Sequence, residues 1–238
     1  MNQNNKAVIL LSGGMDSAVC AAIAKSDGYT ISALHLNYGQ RTQGRELESF
    51  NKLCDYFEIQ EKLIVDVSYL ALIGGSSLTD NNIEVSSANL ESKEIPSSYV
   101  PFRNGNILAI AASWAEVIGA EALYIGAMQL DSSGYPDCRS EFFEAYEAAI
   151  NLGTKPETRI KIITPIINFT KKDIIIRGNK LKVPFELTWS CYSSNDIACG
   201  VCDSCALRLR GFQEAGIEDK LVYKEKPVYL SKLIFNIE

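Results

Sequence analysis

Apolar residues come in short blocks along this chain, and the blocks alternate between two periods. Residues 7–11 form an unbroken apolar run, the pattern of a strand buried on both faces. After the turn Ser12-Gly13-Gly14-Met15-Asp16-Ser17, the positions of Ala18, Val19, Ala21, Ala22 and Ile23 predict a helix. Residues 30–36 and 62–67 read as a second and a third strand, with a helix between them whose apolar face is Leu47, Phe50, Leu53, Cys54 and Phe57. A strongly apolar helix with Ile107, Leu108, Ile110, Ala111, Trp114 and Ile118 closes at Gly119, and residues 122–127 give a fourth strand. A helix with Phe142, Phe143, Tyr146, Ala149 and Ile150 on one face precedes a fifth strand at 160–163. Thr170 and Asp173 have the spacing of a capping pair that opens a helix over 173–181. A last helix is expected over 203–210, ended by Gly211. Residues 74–98, rich in Ser and Asn, carry neither period and are expected to form a mobile flap over the site.

Strands alternating with helices predict an α/β fold whose parallel sheet is covered on both faces. Ligands in such sheets sit at the carboxyl ends of the strands, which directs attention to residues 12–17, 37–41, 99–104, 128–139 and 164–169. The chain of 238 residues allows one substantial core and a small appendage, and we divide it into 1–185 and 186–238. An apolar share of 47% with 22% charged residues fits a soluble globular protein. No apolar run approaches the ~20 residues of a membrane span. The opening residues lack a cleavable signal pattern, so the expected compartment is the cytoplasm. A net charge of -6 argues against a dominant nucleic-acid surface.

The first strand, the Gly-Gly turn and the helix after it form the layout of a phosphate cradle, with backbone N–H groups and the positive helix end facing an anion. No Lys follows the glycines as in a Walker A loop, and the spacing is not that of a dinucleotide G-x-G-x-x-G turn. Four of the seven cysteines, Cys191, Cys199, Cys202 and Cys205, fall within 15 residues. Such a cluster reads first as a metal site, and four thiolates close a tetrahedral zinc centre with no open position. Two other readings stand beside zinc. An iron–sulfur cluster uses similar spacing, although Ala206 and Leu207 occupy the place of the usual Cys-Pro, and reduced free thiols need no metal at all.

SGG-x-DS at 12–17 resembles the PP-loop of the ATP pyrophosphatases. LLSGGMDS (10–17), NYGQR (37–41), YVPFRN (99–104), SGYPDCR (133–139), TWSCY (188–192) and CGVCDSC (199–205) together resemble the 7-cyano-7-deazaguanine synthase family of queuosine precursor biosynthesis. The resemblance implies an adenine-nucleotide hydrolase-like fold with a small C-terminal zinc-binding helical appendage. It implies a carbon–nitrogen ligase in which ATP adenylates 7-carboxy-7-deazaguanine, ammonia forms the amide, and a second adenylation drives loss of water to the nitrile. Mg²⁺ with ATP, a structural zinc ion and a homodimer go with it.

The ATP contacts so implied are Leu10, Leu11, Ser12, Gly13, Gly14, Met15, Asp16, Ser17, Tyr38 and Arg41. Asp16, Arg103 and Arg139 are the implied catalytic set, and Tyr99, Arg103, Asp137 and Arg139 the implied substrate contacts. Each has a plainer alternative. Asp16 either helps hold a metal or caps its helix. Arg103 and Arg139 either fork onto an anion or lie on the surface. Asp137 either accepts from a guanine-like edge or completes the turn after Pro136. Tyr38 and Tyr99 either stack on a purine-like ring or belong to the core. Cys138 is either a nucleophile or a small buried hydrophobe. His35, the one histidine, is either structural or an adenine contact. The length leaves no room for a glutaminase domain, so free ammonia is the expected nitrogen source. Two rival functions remain: a PP-loop tRNA thiolase, and a zinc-ribbon module on a nucleotide-sensing domain without turnover.

Overall fold

The structure is a computed structural model that describes residues 5–85, 88–89, 94–129 and 134–230. Ser133 and its neighbours in the 128–139 loop, along with part of the 74–98 segment, lie outside the described residues.

Five parallel strands form one sheet in the order β3-β2-β1-β4-β5. They are β1 (Lys6–Leu10), β2 (Thr30–Asn37), β3 (Lys62–Asp66), β4 (Ala122–Tyr124) and β5 (Lys161–Ile163). The helices are α1 (Met15–Ser26), α2 (Gln43–Tyr56), α3 (Tyr69–Ile73), α4 (Arg103–Ile118), α5 (Ser140–Gly153), α6 (Lys171–Lys180) and α7 (Asp203–Ala215). Alternation along β1 sends Ala7 and Ile9 to one face, where α1, α2, α6 and α7 pack, and Val8 and Leu10 to the other, where α4 and α5 pack. Both faces are buried, which is why β1 reads as an apolar run without alternation.

The sequence places all five strands, and three boundaries move for physical reasons. β4 stops at Tyr124, because its last ladder bond (Ile125 N–H to the Ile163 carbonyl, 3.1 Å) is followed on β5 by Pro165, which has no N–H to give. α6 starts two residues early, at Lys171, with Thr170 and Asp173 forming the full reciprocal capping box. α7 runs through Gly211 and ends at Gly216, whose φ is 65°. Gly211 is there for close packing instead: a Cβ on it would come within 2.7 Å of the Cβ of Lys171. Phe212, one residue on, lies in the main core beside Phe185, so α7 is built into the α/β body.

The 74–98 segment has no helix or strand among its described residues, and a small set of bonds ties it down. Arg41 donates to the carbonyls of Ser77 (2.7 Å), Asp80 (2.8 Å) and Ile83 (2.7 Å). Ala88 N–H donates to the Val201 carbonyl at 3.1 Å. No helix of the described residues is long and apolar enough to cross a membrane.

Candidate active site

The strand order reverses between β1 and β4, and their chains leave the sheet in opposite directions to open a crevice at the carboxyl edge. Ser12 to Ser17 fill the β1 side of it. Gly13 has a φ of 91°, and a Cβ there would meet the Glu46 carbonyl at 2.5 Å, so only glycine lets the turn lie against α2. Ser17 Oγ donates to the Gly14 carbonyl (2.9 Å) and accepts the Ser12 N–H (3.2 Å), while Ser12 Oγ accepts the Gly14 N–H (3.2 Å). The two hydroxyls thus fold the turn, and the first N–H groups of α1 carry no side-chain cap. They point their dipole into the crevice as an anion site does.

The crevice has two lobes. The first, about 250 Å³, is walled by Leu10, Leu11, Ser12, Gly14, Met15, Asp16 and Ser17 of the turn and by Tyr38. The second, about 190 Å³, runs on toward Tyr135, Cys138 and Asp203. Asp16, Arg103, Asn104, Lys171 and Tyr192 line both lobes and mark their junction.

Arg103 sits at this junction with most of its fork unspent. Its one hydrogen bond goes from Nη1 to the Tyr38 hydroxyl (3.1 Å), and among the described residues it makes no ion pair. Opposite stands Lys171, whose Nζ lies 2.8 Å and 2.6 Å from the two oxygens of Asp16. Asp16 therefore neither caps α1 nor stands as a lone negative charge beside an incoming phosphate. A lysine as first residue of a helix runs against the macrodipole, and its place here is explained by Asp16.

Five of the residues implied as contacts are not on the walls of either lobe. The Arg41 guanidinium is taken up by the three carbonyls of the 77–83 segment. Tyr99 and Asp137 cap α4. Phe102, at its N-cap, is in the left-handed region (φ 53°) and offers no cap of its own. The Tyr99 hydroxyl accepts the Phe102 N–H (3.1 Å), and Asp137 Oδ2 accepts the Asn104 N–H (2.9 Å). Burial raises the Asp137 pKa against the lowering effect of that bond. Arg139 is exposed at the N-cap of α5. Gly13 also stays behind the wall, where its carbonyl accepts the Trp189 N–H at 2.9 Å.

Cys138 lines the second lobe, but burial pushes its thiol up to about 11, the reverse of what a nucleophile needs. His35 is a core residue: Nδ1 meets the Leu11 carbonyl at 3.1 Å, the ring packs on Phe50, and burial lowers its pKa.

Lys171, Glu46, Asn104, Trp189, Ser190, Tyr192 and Asp203 line the lobes without having been assigned a role from the sequence. The capping pair that located α6 was the available signal for Lys171, since it fixes which residue is first in the helix. Behind Trp189 and Ser190 lies a fully buried Arg208, which donates to Thr188 Oγ1 (2.7 Å) and Ser190 Oγ (3.3 Å) and pairs with Asp219 (2.7 and 3.0 Å).

The sulfur atoms of Cys191, Cys199, Cys202 and Cys205 all lie within 4.8 Å of one another. A zinc ion with ~2.3 Å bonds sets its sulfurs a little under 4 Å apart, and Cys199 and Cys205 are separated by 3.9 Å. Backbone N–H groups of Ser193 and Cys199 approach Cys191 Sγ, and those of Val201 and Cys202 approach Cys199 Sγ, at 3.3–3.4 Å. Such bonds favour thiolate, and the spacing suits a single ion rather than a larger cluster. Gly200 (φ 85°) passes under the tail so closely that a Cβ would fall 1.7 Å from the Glu225 carbonyl oxygen. Tyr229 closes the same knuckle from outside, its hydroxyl donating to the Gly200 carbonyl at 2.9 Å.

A five-stranded parallel sheet with a glycine turn at its switch point is the fold of the PP-loop class that the motif at 12–17 implied. The fold agrees with two solved structures. One is a 4-thiouridine synthetase–RNA complex with bound ATP (TM-score 0.50, 21% identity, covering 79% of this chain and 43% of that one). The other is a predicted subunit of tRNA methyltransferase from Methanocaldococcus jannaschii (TM-score 0.50, 14% identity, 94% of this chain and 100% of that one). Within this class the chain belongs to the family described as "Queuosine biosynthesis protein QueC", whose profile matches residues 6–216. A 7-cyano-7-deazaguanine synthase of Chloroherpeton thalassium is 59% identical over 225 residues, 94% of this chain and 100% of the relative. One of Campylobacter curvus is 56% identical over 218 residues, 92% of this chain and 97% of the relative. The resemblance read from the motifs is thereby borne out, and the family favours neither rival function.

Proposed function

We propose that this protein makes 7-cyano-7-deazaguanine from 7-carboxy-7-deazaguanine, ammonia and ATP. The observation that carries the reading is the junction: Arg103, with no acidic partner among the described residues, faces the Lys171–Asp16 pair beside the Gly-Gly turn. A carboxylate is a poor electrophile because its leaving oxygen is anionic. Joining that oxygen to the α-phosphorus of ATP releases pyrophosphate and lets the oxygen leave later with AMP. The backbone N–H groups at the start of α1 hold the outer phosphates, and Ser12 and Ser17 keep the turn in shape. Arg103 and Lys171 neutralise charge at the α-phosphate and the acid oxygen, work that is mainly positioning and electrostatics. Ammonia then attacks the acyl carbon, loses a proton and expels AMP to give the amide. The amide oxygen then attacks the α-phosphorus of a second ATP and expels pyrophosphate, and loss of protons and AMP leaves the nitrile.

Mg²⁺ bound with ATP would offset phosphate charge, and the carboxylates lining the first lobe that would hold it are Asp16 and Glu46. We assign zinc to the four-cysteine cluster, where it would tie the TWSCY loop and the tail together without touching substrate. The free cysteines suit a cytoplasmic enzyme. Phe102, Val117 and Leu152, exposed at 53%, 82% and 87% on α4 and α5, supply apolar surface for a two-fold dimer.

The test is to incubate purified protein with ATP, ammonia and the 7-carboxy compound while following product mass and nucleotides together. The acid should become the nitrile with AMP formed. ADP and phosphate, or turnover that requires glutamine, would contradict the scheme.

A further inference from the structure

The second lobe is larger than the activated carboxyl group requires. Adenylation needs only that an acid oxygen reach the junction, yet the lobe continues between Tyr135, Met128 and Leu207 to Asp203. Asp203 lines this lobe alone, whereas Asp16, Arg103 and Lys171 line both. It is the first residue of α7, where the helix dipole favours a negative group. Its carboxylate accepts one hydrogen bond, from the Asn89 N–H to Oδ1 at 3.3 Å, and it has no ion-pair partner among the described residues. A carboxylate only accepts, and it has about four lone-pair sites, so most of its capacity is unspent.

Among the described residues the strong cations on the lobe wall, Arg103 and Lys171, are ones that also line the first lobe, at the junction. The lobe therefore has an anion-binding end and an acceptor end with aromatic and apolar walls between. A planar ring carrying an acid on one side and adjacent N–H donors on the other matches that polarity. We propose that Asp203 is the specificity-determining residue for the base: it accepts hydrogen bonds from the ring N–H and exocyclic amine of the deazaguanine edge, the role that sequence reading gave to Asp137. Asp137 is absent from the lobe wall, where Asp203 is present, and its carboxylate caps α4 through the Asn104 N–H instead. This inference rests on the 7-carboxy-7-deazaguanine reading and names which group enforces it.

The experiment compares kcat/KM for 7-carboxy-7-deazaguanine and for its analogue without the 2-amino group, in wild type, Asp203→Asn, Asp203→Ser and Asp137→Asn. Zinc content and the KM for ATP are measured in the same preparations. Wild type should prefer the amino compound by roughly 100-fold or more, as sites built to bond a donor do. Both Asp203 variants should bring that preference to within a few-fold while zinc and the KM for ATP hold steady. Asp137→Asn should be less stable yet keep the preference. A wild type that does not discriminate overturns the proposal. So does an Asp203 variant that retains the preference, or its loss in Asp137→Asn alone. If Asp203→Asn sheds zinc, Asp203→Ser and the wild-type ratio decide. Wild type that turns over neither compound, with zinc bound, refutes the parent reading and this one with it; turnover without discrimination refutes only this one.

Discussion

Lys171 and Asp16 are 155 residues apart in sequence, and one ammonium nitrogen sits between both oxygens of the other's carboxylate at 2.6 and 2.8 Å. The pair binds the start of α6 to the start of α1 across the mouth of the crevice. Each helix end is thereby given a charge it would not hold as well alone. In the proposed reaction the lysine supplies positive charge and the aspartate aims it.

Lys171→Met should leave Asp16 unpaired and facing the phosphates. We expect pyrophosphate release to fall by roughly 100- to 1,000-fold, the usual scale for one lost electrostatic donor. Circular dichroism should be unchanged. A variant with near wild-type pyrophosphate release would remove Lys171 from the chemistry.

Arg103→Met tests whether the unpaired guanidinium is kept for function. A half-buried cation with no acidic partner among the described residues costs folding free energy, so its replacement by an apolar side chain of similar length should hold or raise the melting temperature. Activity should drop by at least roughly 100-fold. Arg103→Lys should not rescue it fully, because the fork geometry is lost. A fall in melting temperature together with retained activity is the contrary result.

The Arg208–Asp219 pair is 1% exposed on each side and gives the protein a predictable acid response. Burial alone would raise the Asp219 pKa, but the Arg208 hydrogen bonds and charge outweigh it, and the net shift is downward. A depressed carboxylate contributes stability that is complete above its unfolded value of about 3.9 and drains away as pH falls toward the folded value. Asp219→Asn should therefore lower stability near neutral pH by about 3–5 kcal/mol, since Arg208 is left buried without its partner. Its unfolding free energy should also depend less on pH below about 4 than that of wild type. Denaturant melts at several pH values measure both effects, and parallel pH curves for the two proteins would refute the assignment.

Metal removal should act on stability before chemistry. One zinc per chain is expected, lost in Cys202→Ser or on prolonged chelation, with a large drop in melting temperature. Substituting Gly200 with Ala should weaken zinc retention too, because the Glu225 carbonyl occupies the space a methyl group would need. Iron with a visible chromophore in the purified protein would overturn the zinc assignment.

Much of this architecture is written locally in the chain. β1 to β5 were legible because each is a short apolar block whose period depends only on neighbours. The turn at 12–17 and the cysteine cluster were legible because their chemistry needs fixed short spacings. The cavity partners were harder. Arg103 was found through its motif, yet nothing near Arg41, Tyr99 or Asp137 in sequence tells that each is consumed by backbone groups brought in from 33 or more residues away or by a helix start lacking its own cap. Lys171 was missed because a lysine at a helix start looks like an unfavourable surface residue until Asp16 is placed opposite it. Gly211 reads as a helix stop in sequence because close helix crossings and helix ends ask for the same residue.

The contact between Gly200 and the segment at residues 223–225 has a temporal side. During synthesis the four thiols emerge before the segment that packs under the knuckle and the tyrosine that latches it. A nascent chain stalled ahead of Tyr223 would hold its metal in an open-backed pocket, exposed to exchange with cellular chelators. Packing of residues 223–229 against the knuckle is what would then close the pocket behind the ion.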